Sequence, residues 1–323
     1  MGRRGPDANG RYEHRLSNDL SVTLLHSRLS IIDLDPRANQ PMRHGHHVIA
    51  TNGEVYNYRE LTGTLRGEGV TLASSSDTEV LLAAISRWGM ETALDRAEGM
   101  WAFAAVDEAA GTVTLSRDRF GEKPLFLLEA DGGLYFGSEV KFLFALSAQA
   151  PRANLDHLKR FLVNGYKALH KVSATFHEDV RELAAGTMLT ISPADRKETR
   201  FWTPGFETDD SLSFEDSVAA TREALIEAVG LRLRADVPLA FCLSGGVDSN
   251  AIISIARRVF DHDVHGFTIV NTDARYAEEE LVRASVAELG LRHTSVRLTT
   301  TNFLENLDTL VRQHDVPVFT LSY

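Results

Sequence analysis

The hexapeptide Ser244-Gly245-Gly246-Val247-Asp248-Ser249 does most to restrict what this chain can fold into. An apolar run at residues 237–243 precedes it, and residues 250–259 carry the apolar spacing of a helix. Strand, Gly-rich turn and helix in that order put the turn at the carboxyl edge of a parallel sheet, where open α/β folds bind ligands. The alternation continues with a strand at 264–270, a helix at 277–289 closed by Gly290, and a strand at 294–298. Ahead of it, Ser213 and Asp216 cap a helix with Val218, Leu225, Ile226 and Val229 on one face. The spacing predicts right-handed crossovers and a parallel sheet covered on both faces. Within the turn, two glycines let the backbone approach a phosphate without Cβ collision, and helix-start amides supply donors and partial positive charge. Ser244 and Ser249 add hydroxyl donors. Asp248 cannot favour a bare anion, and suits orienting the loop or holding a Mg²⁺ that accompanies a nucleotide. A Gly-Gly turn capped by Asp and Ser is the plainer alternative, disfavoured by its position between strand and helix.

The earlier half has another rhythm. Short apolar runs at 22–25, 48–50, 101–106, 113–115, 125–128 and 134–136 are broken by Asn, Asp and Gly, which predicts a strand-rich domain with few helices. The clearest helix spans 77–88, with Ser76 or Asp77 as its cap and Val80, Leu81, Ala84 and Ile85 on one face. A last strand at 187–191 follows Gly186, and the polar stretch 195–213 reads as a linker. The expected organisation is a first domain at 1–192, a linker at 193–212 and a second domain at 213–323. A length of 323 residues, 43% of them hydrophobic, supports two cores. With 34 basic against 45 acidic residues and a net charge of −11, a broad phosphate-tracking surface for nucleic acid is not expected. No apolar run approaches the roughly 20 residues of a bilayer span. No signal-peptide pattern follows Arg3 and Arg4, and Cys242 is alone, so a cytoplasmic protein without disulfides or membrane partner is expected. A homodimer is compatible with all of this.

The hexapeptide resembles the signature of the PP-loop ATP pyrophosphatases, which include asparagine, GMP, NAD and argininosuccinate synthetases. In that group ATP is cleaved between its α and β phosphates and the substrate is adenylated. By the resemblance, Leu243 and Ile269 at successive strand ends would flank the adenine and ribose, with ordinary strand packing as the alternative for both. Ordered segments upstream resemble the glutaminase half of the glutamine-hydrolysing asparagine synthetases, which are class II glutamine amidotransferases. These include Arg4-Gly5-Pro6-Asp7, Ser27-Arg28-Leu29-Ser30-Ile31-Ile32-Asp33, Gln40-Pro41-Met42 and Asn52-Gly53-Glu54-Val55-Tyr56-Asn57-Tyr58. They continue with Ser76-Asp77-Thr78-Glu79, Gly99-Met100-Trp101-Ala102-Phe103, Arg117-Asp118-Arg119-Phe120-Gly121 and Phe136-Gly137-Ser138-Glu139. The resemblance implies an α+β domain of Ntn-type stacked sheets lacking its first strand, then an α/β parallel-sheet PP-loop domain of adenine-nucleotide α-hydrolase type, incomplete at its C-terminus.

Free glutamine presents a carboxylate, an ammonium and an amide, so its pocket needs a cation, an anion and an oxyanion binder. Arg28 can grip the carboxylate with a two-pronged hydrogen bond. Glu54 and Asp77 can receive the ammonium, and Leu29, Ser30, Ile31 and Ile32 belong to the same implied pocket. Asn52, through its side-chain amide, and Gly53, through its backbone amide, resemble the family's oxyanion hole. The implied ligands are glutamine, aspartate and ATP with Mg²⁺.

The family's nucleophile is an N-terminal cysteine activated by its own amine. This sequence begins Met1-Gly2, and Cys242, in an apolar strand, is expected to be a buried small hydrophobe. The retained Arg28, Asn52, Glu54 and Asp77 favour a fragment or a misplaced start over an evolved pseudo-glutaminase. The family's acidic loop beyond the His314-Asp315-Val316-Pro317 segment is likewise expected to be missing. A β-lactam-synthetase-like enzyme and a non-catalytic glutamine- or nucleotide-binding remnant are the alternatives. His44-Gly45-His46-His47 suggests metal ligands by composition but reads as a polar loop, and Glu278–Glu280 as a solvated helix start.

Overall fold

Residues 99–107 alternate Trp101, Phe103 and Ala105 with Ala102, Ala104 and Val106, and all six are buried. A strand whose two faces are both apolar must be covered on both sides. That requirement organises the larger part of the molecule. The structure, a computed structural model, describes residues 2–17, 20–166, 169, 172–209, 211–270, 278–297, 301 and 303–317. The chain divides into two compact units, one comprising Met1–Gly205 with Asp308–Tyr323 and the other Phe206–Leu307.

In the first unit the elements run β1 (Ala8–Arg15), β2 (Ser21–Arg28), β3 (Met42–His44), β4 (His47–Val55), α1 (Tyr58–Gly67), α2 (Asp77–Trp88), α3 (Met90–Arg96), β5 (Gly99–Asp107) and β6 (Thr112–Arg117). They continue with β7 (Phe126–Ala130), β8 (Gly133–Gly137), α4 (Val140–Ser147), α5 (Leu155–Asn164), β9 (Val180–Glu182), β10 (Thr187–Ile191) and β11 (Arg196–Arg200). An antiparallel sheet of order β11-β10-β6-β5-β4-β3 forms the middle layer. Trp101, Phe103 and Ala105 face α1, α2 and α3, meeting Leu61, Leu65, Leu81, Ala84 and Leu94. Ala102, Ala104 and Val106 face the other way, toward Val22 and Leu24 of β2 and Leu125 and Leu127 beside and within β7. Two smaller antiparallel sheets, β1-β2 and β8-β7-β9, supply that outer layer. The stacked-sheet arrangement expected from the sequence is therefore present. Each large side chain so buried contributes about 1.5–3 kcal/mol.

Two features were hidden in the sequence. Besides the helix at 77–88, this unit holds α1, α3, α4 and α5. α1 buries only Tyr58, Leu61 and Leu65 in an otherwise polar ten-residue stretch, and α3 only Ala93 and Leu94 over seven residues, so neither stands out from its polar surroundings. Within the expected linker, Arg-Lys-Glu-Thr-Arg forms β11, paired along β10. Its charges belong on an exposed edge, and pairing with β10 rather than side-chain burial makes it a strand.

The second unit carries α6 (Phe214–Arg232), β12 (Ala240–Cys242), α7 (Val247–Arg258), β13 (His265–Val270), α8 (Glu279–Leu289) and β14 (Arg292–Arg297), after which comes α9 (Phe303–His314). The sheet is parallel, in the order β12-β13-β14, as the alternation predicts. Ser213 Oγ accepts from Asp216 N at 3.0 Å and caps α6. Burial falls short of expectation: of the apolar face of α6 only Val229 is buried, while Val218 and Leu225 are exposed. Cys242 is exposed rather than buried, because β12 is a three-residue edge strand with one face open. Most of β14 is exposed too, so among the described residues the sheet is not covered on both faces.

The Arg117-Asp118-Arg119-Phe120-Gly121 segment shows how polar groups close this core. The Asp118 carboxylate is completely buried and accepts from Phe120 N and Glu122 N through Oδ1, and from Lys123 N and Trp101 N through Oδ2. Arg117 donates to the carbonyls of Lys123, Leu183 and Gly121. A buried amide left without an acceptor costs about 1–3 kcal/mol. Asp118→Ala is therefore expected to lower the unfolding free energy in urea by roughly 3–5 kcal/mol; a change below about 1 kcal/mol would show that the turn does not depend on this carboxylate.

Candidate functional site

β4 ends at the site, and its last residues are Asn52, Gly53, Glu54 and Val55. Pairing with β5 sets Asn52 opposite Ala102 and Gly53 opposite Trp101. A Cβ on Gly53 would stand 2.1 Å from the Met100 carbonyl oxygen, so only glycine permits this strand separation. Asn52 Nδ2 donates to Ser138 Oγ at 3.2 Å. Behind them, Thr51 N donates to Gln40 Oε1 at 2.6 Å, and the Gln40 amide reaches Thr78 Oγ1 at 3.2 Å.

α2 brings the second component. Ser76 caps it by accepting from Thr78 N at 3.2 Å, and Glu79 turns back to the amides of Ala73 and Ser74. Asp77 lies between them, buried, with Oδ2 accepting from Val55 N at 2.9 Å. Burial pushes its carboxyl up to about 6, and the neighbouring Glu54 charge adds to the rise against the Val55 and Thr78 amides. Glu54 is raised as well, by burial, with Lys123 opposing. Two desolvated acids side by side make a place for a cation.

A single cavity of about 990 Å³ is lined by Arg28, Leu29, Ile31, Ile32, Asn52, Gly53, Glu54 and Asp77. Ser30 is outside this lining; its amide donates to Asp7 Oδ2 at 2.7 Å. That bond, with Gly5 pressed against the Ser27 carbonyl, is what the Arg4-Gly5-Pro6-Asp7 segment does structurally. The expected carboxylate grip of Arg28 meets a competing demand. Its Nη1 donates to Asp35 O at 3.1 Å and Asn39 Oδ1 at 3.0 Å, and its Nη2 to the carbonyls of Ile32 and Asp33. As folded, Arg28 holds the 32–39 loop, and gripping a ligand would require it to exchange partners. His26 joins the wall, its Nε2 donating to Thr51 O at 3.1 Å; burial lowers its pKa. Sequence reading assigned no role to His26, Gln40, Lys123 or Ser138, although Gln40 and Ser138 stand in segments that carry the resemblance.

In the second unit Ser244–Ser249 connects β12 to α7. The N-cap Gly246 has no side chain to occupy the first amides of α7. Ser244 Oγ and Ser249 Oγ are 3.0 Å apart, and Gly246 N donates to Ser244 Oγ at 3.2 Å. Asn250, unassigned by sequence reading, clamps the turn through Nδ2 to Ser244 O at 2.9 Å and Gly246 O at 2.7 Å. Val247 and Asp248 are exposed on the first turn. Glu278 is no mere solvated helix start, since its Oε2 accepts from Gly245 N at 2.7 Å. Leu243 is buried in the core of this unit, as the packing alternative expects, and Thr268 Oγ1 donates to its carbonyl at 2.7 Å. Ile269, at 55% exposure, is open to a ligand.

Comparison with known proteins follows the same division. Residues 1–202 match the glutamine amidotransferase domain family, and residues 220–322 match the asparagine synthase family. The chain is 30% identical to asparagine synthetase (glutamine-hydrolyzing) 1 of Bacillus subtilis, covering 98% of this chain and 48% of that protein. It is 32% identical to asparagine synthetase (glutamine-hydrolyzing) 3 of the same organism, over 81% and 42%. Amidase chry2 of Gibberella zeae is 34% identical over 77% and 36%. The chain spans about half the length of the first curated relatives it matches. Among solved structures, glutamine phosphoribosylpyrophosphate amidotransferase from Bacillus subtilis, complexed with ADP and GMP, aligns at a TM-score of 0.42 and 16% identity, covering 88% of this chain and 56% of that one. The chain belongs to the glutamine amidotransferase domain family, continued over residues 220–322 by a segment of the asparagine synthase family.

Proposed function

We propose that this chain serves glutamine-dependent synthesis of asparagine. A glutaminase domain at 1–192 binds glutamine, and hydrolysis of its side-chain amide, with water as co-substrate and a nucleophile that the described cavity-lining residues do not include, releases glutamate and ammonia. A domain at 213–323 activates the side-chain carboxylate of aspartate with ATP, and ammonia then displaces AMP. The observation that carries this reading is one cavity whose wall holds both the Asn52–Gly53 donor pair and the Glu54–Asp77 acid pair. Glutamine is a ligand that needs both. Its ammonium would neutralise the acid pair, and its amide would then lie toward Asn52 Nδ2 and the Gly53 amide, which donate to the oxyanion formed when the amide carbon is attacked. No thiol lies among the described residues that line the cavity. At the PP-loop, the amides starting α7 and the Ser244 and Ser249 hydroxyls suit a pyrophosphate. The exposed Asp248 carboxylate fits a Mg²⁺ and would hold it against the phosphates, neutralising charge as pyrophosphate departs. The same reading places the protein in the cytoplasm with small-molecule partners; among the described residues no helix is long and apolar enough to cross a membrane.

The acid pair makes the reading testable by pH. Asp77 must be ionised to receive an ammonium, and its carboxyl stands at about 6 before ligand binds. Glutamine affinity, measured by titration calorimetry, is expected to hold above pH 7 and to fall about tenfold for each pH unit below about 6. The raised pKa means that ionised Asp77 works against the fold. Its stability contribution is full below the ordinary value of 3.8 and is lost as pH rises through about 6. Asp77→Asn, which keeps an acceptor for Val55 N, is expected to raise stability at pH 7.5 by up to about 3 kcal/mol while abolishing glutamine binding. Unaltered glutamine binding in this variant would refute the assignment. For the second domain, the expected activity is aspartate-dependent pyrophosphate release from ATP with Mg²⁺, supplied with glutamine or ammonium. Asp248→Ala is expected to weaken that Mg²⁺ dependence at least about tenfold. Binding of glutamine and ATP without pyrophosphate release from ATP in the presence of either nitrogen source would identify a binding module instead.

A further inference from the structure

The register of the middle sheet sets three ligand-type side chains in a row, away from the glutamine cavity. In the β3–β4 hairpin His44 is the cross-strand partner of His47, and in the β4–β5 pair His47 is the partner of Asp107. Directly opposed residues share a face, so His44, His47 and Asp107 stand side by side across three strands. Gly45 turns the hairpin with φ at +60°, and His46 follows with its ring 4.2 Å from that of His47.

The spacing of the donor atoms is informative. His46 Nε2 lies 3.7 Å from Asp107 Oδ1, and His47 Nε2 lies 3.5 Å from Asp107 Oδ2. All three donor atoms fall within 4.8 Å of one another. Both gaps exceed the roughly 2.7–3.2 Å of a hydrogen bond. Zinc bound at about 2.0–2.2 Å by nitrogen and carboxylate oxygen sets tetrahedral ligands roughly 3.3–3.5 Å apart, so both His–Asp gaps already lie near that spacing, and the set as a whole must draw in from within 4.8 Å to close on an ion.

The surroundings hold the donors in place. Asp107 Oδ1 accepts from the amides of Ala109 and Ala110, both at 2.9 Å, which fixes the carboxylate. Glu108 N donates to His46 O at 3.0 Å and ties the hairpin to the end of β5. His47 is only 8% exposed; its Nε2 faces Asp107, while its Nδ1 is buried with no hydrogen-bond partner among the described residues. His46, at the surface, keeps one side open to solvent.

We propose that His46, His47 and Asp107 form a site for a zinc-type divalent transition-metal ion, with water or His44 completing the coordination, that clips the β3–β4 hairpin to the end of β5. Two imidazoles and one carboxylate are a donor set suited to such an ion, whereas Mg²⁺ and Ca²⁺ take oxygen ligands. The site is independent of the PP-loop and of any Mg²⁺ that accompanies a nucleotide there.

The test is calorimetric titration of the full chain with ZnCl₂ at pH 7.5 in a non-chelating buffer, alongside His46→Ala and Asp107→Asn and with folding checked by circular dichroism. One zinc per chain is expected, with each folded variant weakening that event at least about tenfold. Titration of the unaltered chain with CoCl₂ should give visible d–d absorption displaced by zinc, a readout that does not depend on the variants. Absence of zinc binding by the unaltered chain, or equal binding by a folded variant, would overturn the proposal.

Discussion

The hydrogen bond from Val55 N to Asp77 Oδ2, 2.9 Å long, is the contact on which the glutamine-cavity reading depends. It fastens the first residue of α2 to the last residue of β4, joining the helical layer to the middle sheet beside the cavity. α2 can serve this way because Ser76 supplies its cap, which leaves Asp77 without a capping duty. The strand can serve because Gly53 and Gly99 let β4 and β5 approach where any Cβ would collide with opposing backbone. Sheet pairing, helix capping and site chemistry thus meet in a few residues.

That meeting has an energetic consequence. A buried carboxylate beside a second half-buried acid opposes folding in its ionised form, and the core of Trp101, Phe103 and the leucines of α1 to α3 outweighs it. On the proposed reading the strain is useful because a cationic ligand would relieve it. An apolar or amide pair at these positions would favour the fold and have nothing to offer an ammonium group.

Sequence legibility followed side-chain demands. A continuous apolar run revealed β5, the capped amphipathic pattern revealed α2 to its terminal residues, and the Gly-Gly turn was placed between its strand and helix. β11 was illegible because backbone pairing alone makes it a strand. The exposure of Cys242, the last residue of a short edge strand, and the burial of Leu243 just after it depend on which face other elements cover, and alternation does not report that. The residues of the cavity were legible as a set, whereas their bonds were not: Arg28 reads as a ligand-binding cation and folds as the anchor of the 32–39 loop. Glu278 reads as a helix-start acid and folds against the Gly245 amide. A long charged side chain has many candidate partners, and only three-dimensional neighbours select among them.

The two units present complementary recognition chemistry. On the proposed reading, one would offer desolvated acids and amide donors to a zwitterionic amide, and the other helix-start amides and hydroxyls to a polyanion. The central claim concerns the first of these, and the most direct measurement is a crystal structure of the chain with L-glutamine bound. The account predicts the ligand nitrogen within hydrogen-bonding distance of the Glu54 and Asp77 carboxylates and its side-chain carbonyl toward Asn52 Nδ2 and Gly53 N. Glutamine bound in the reverse orientation, or outside the cavity, would contradict it.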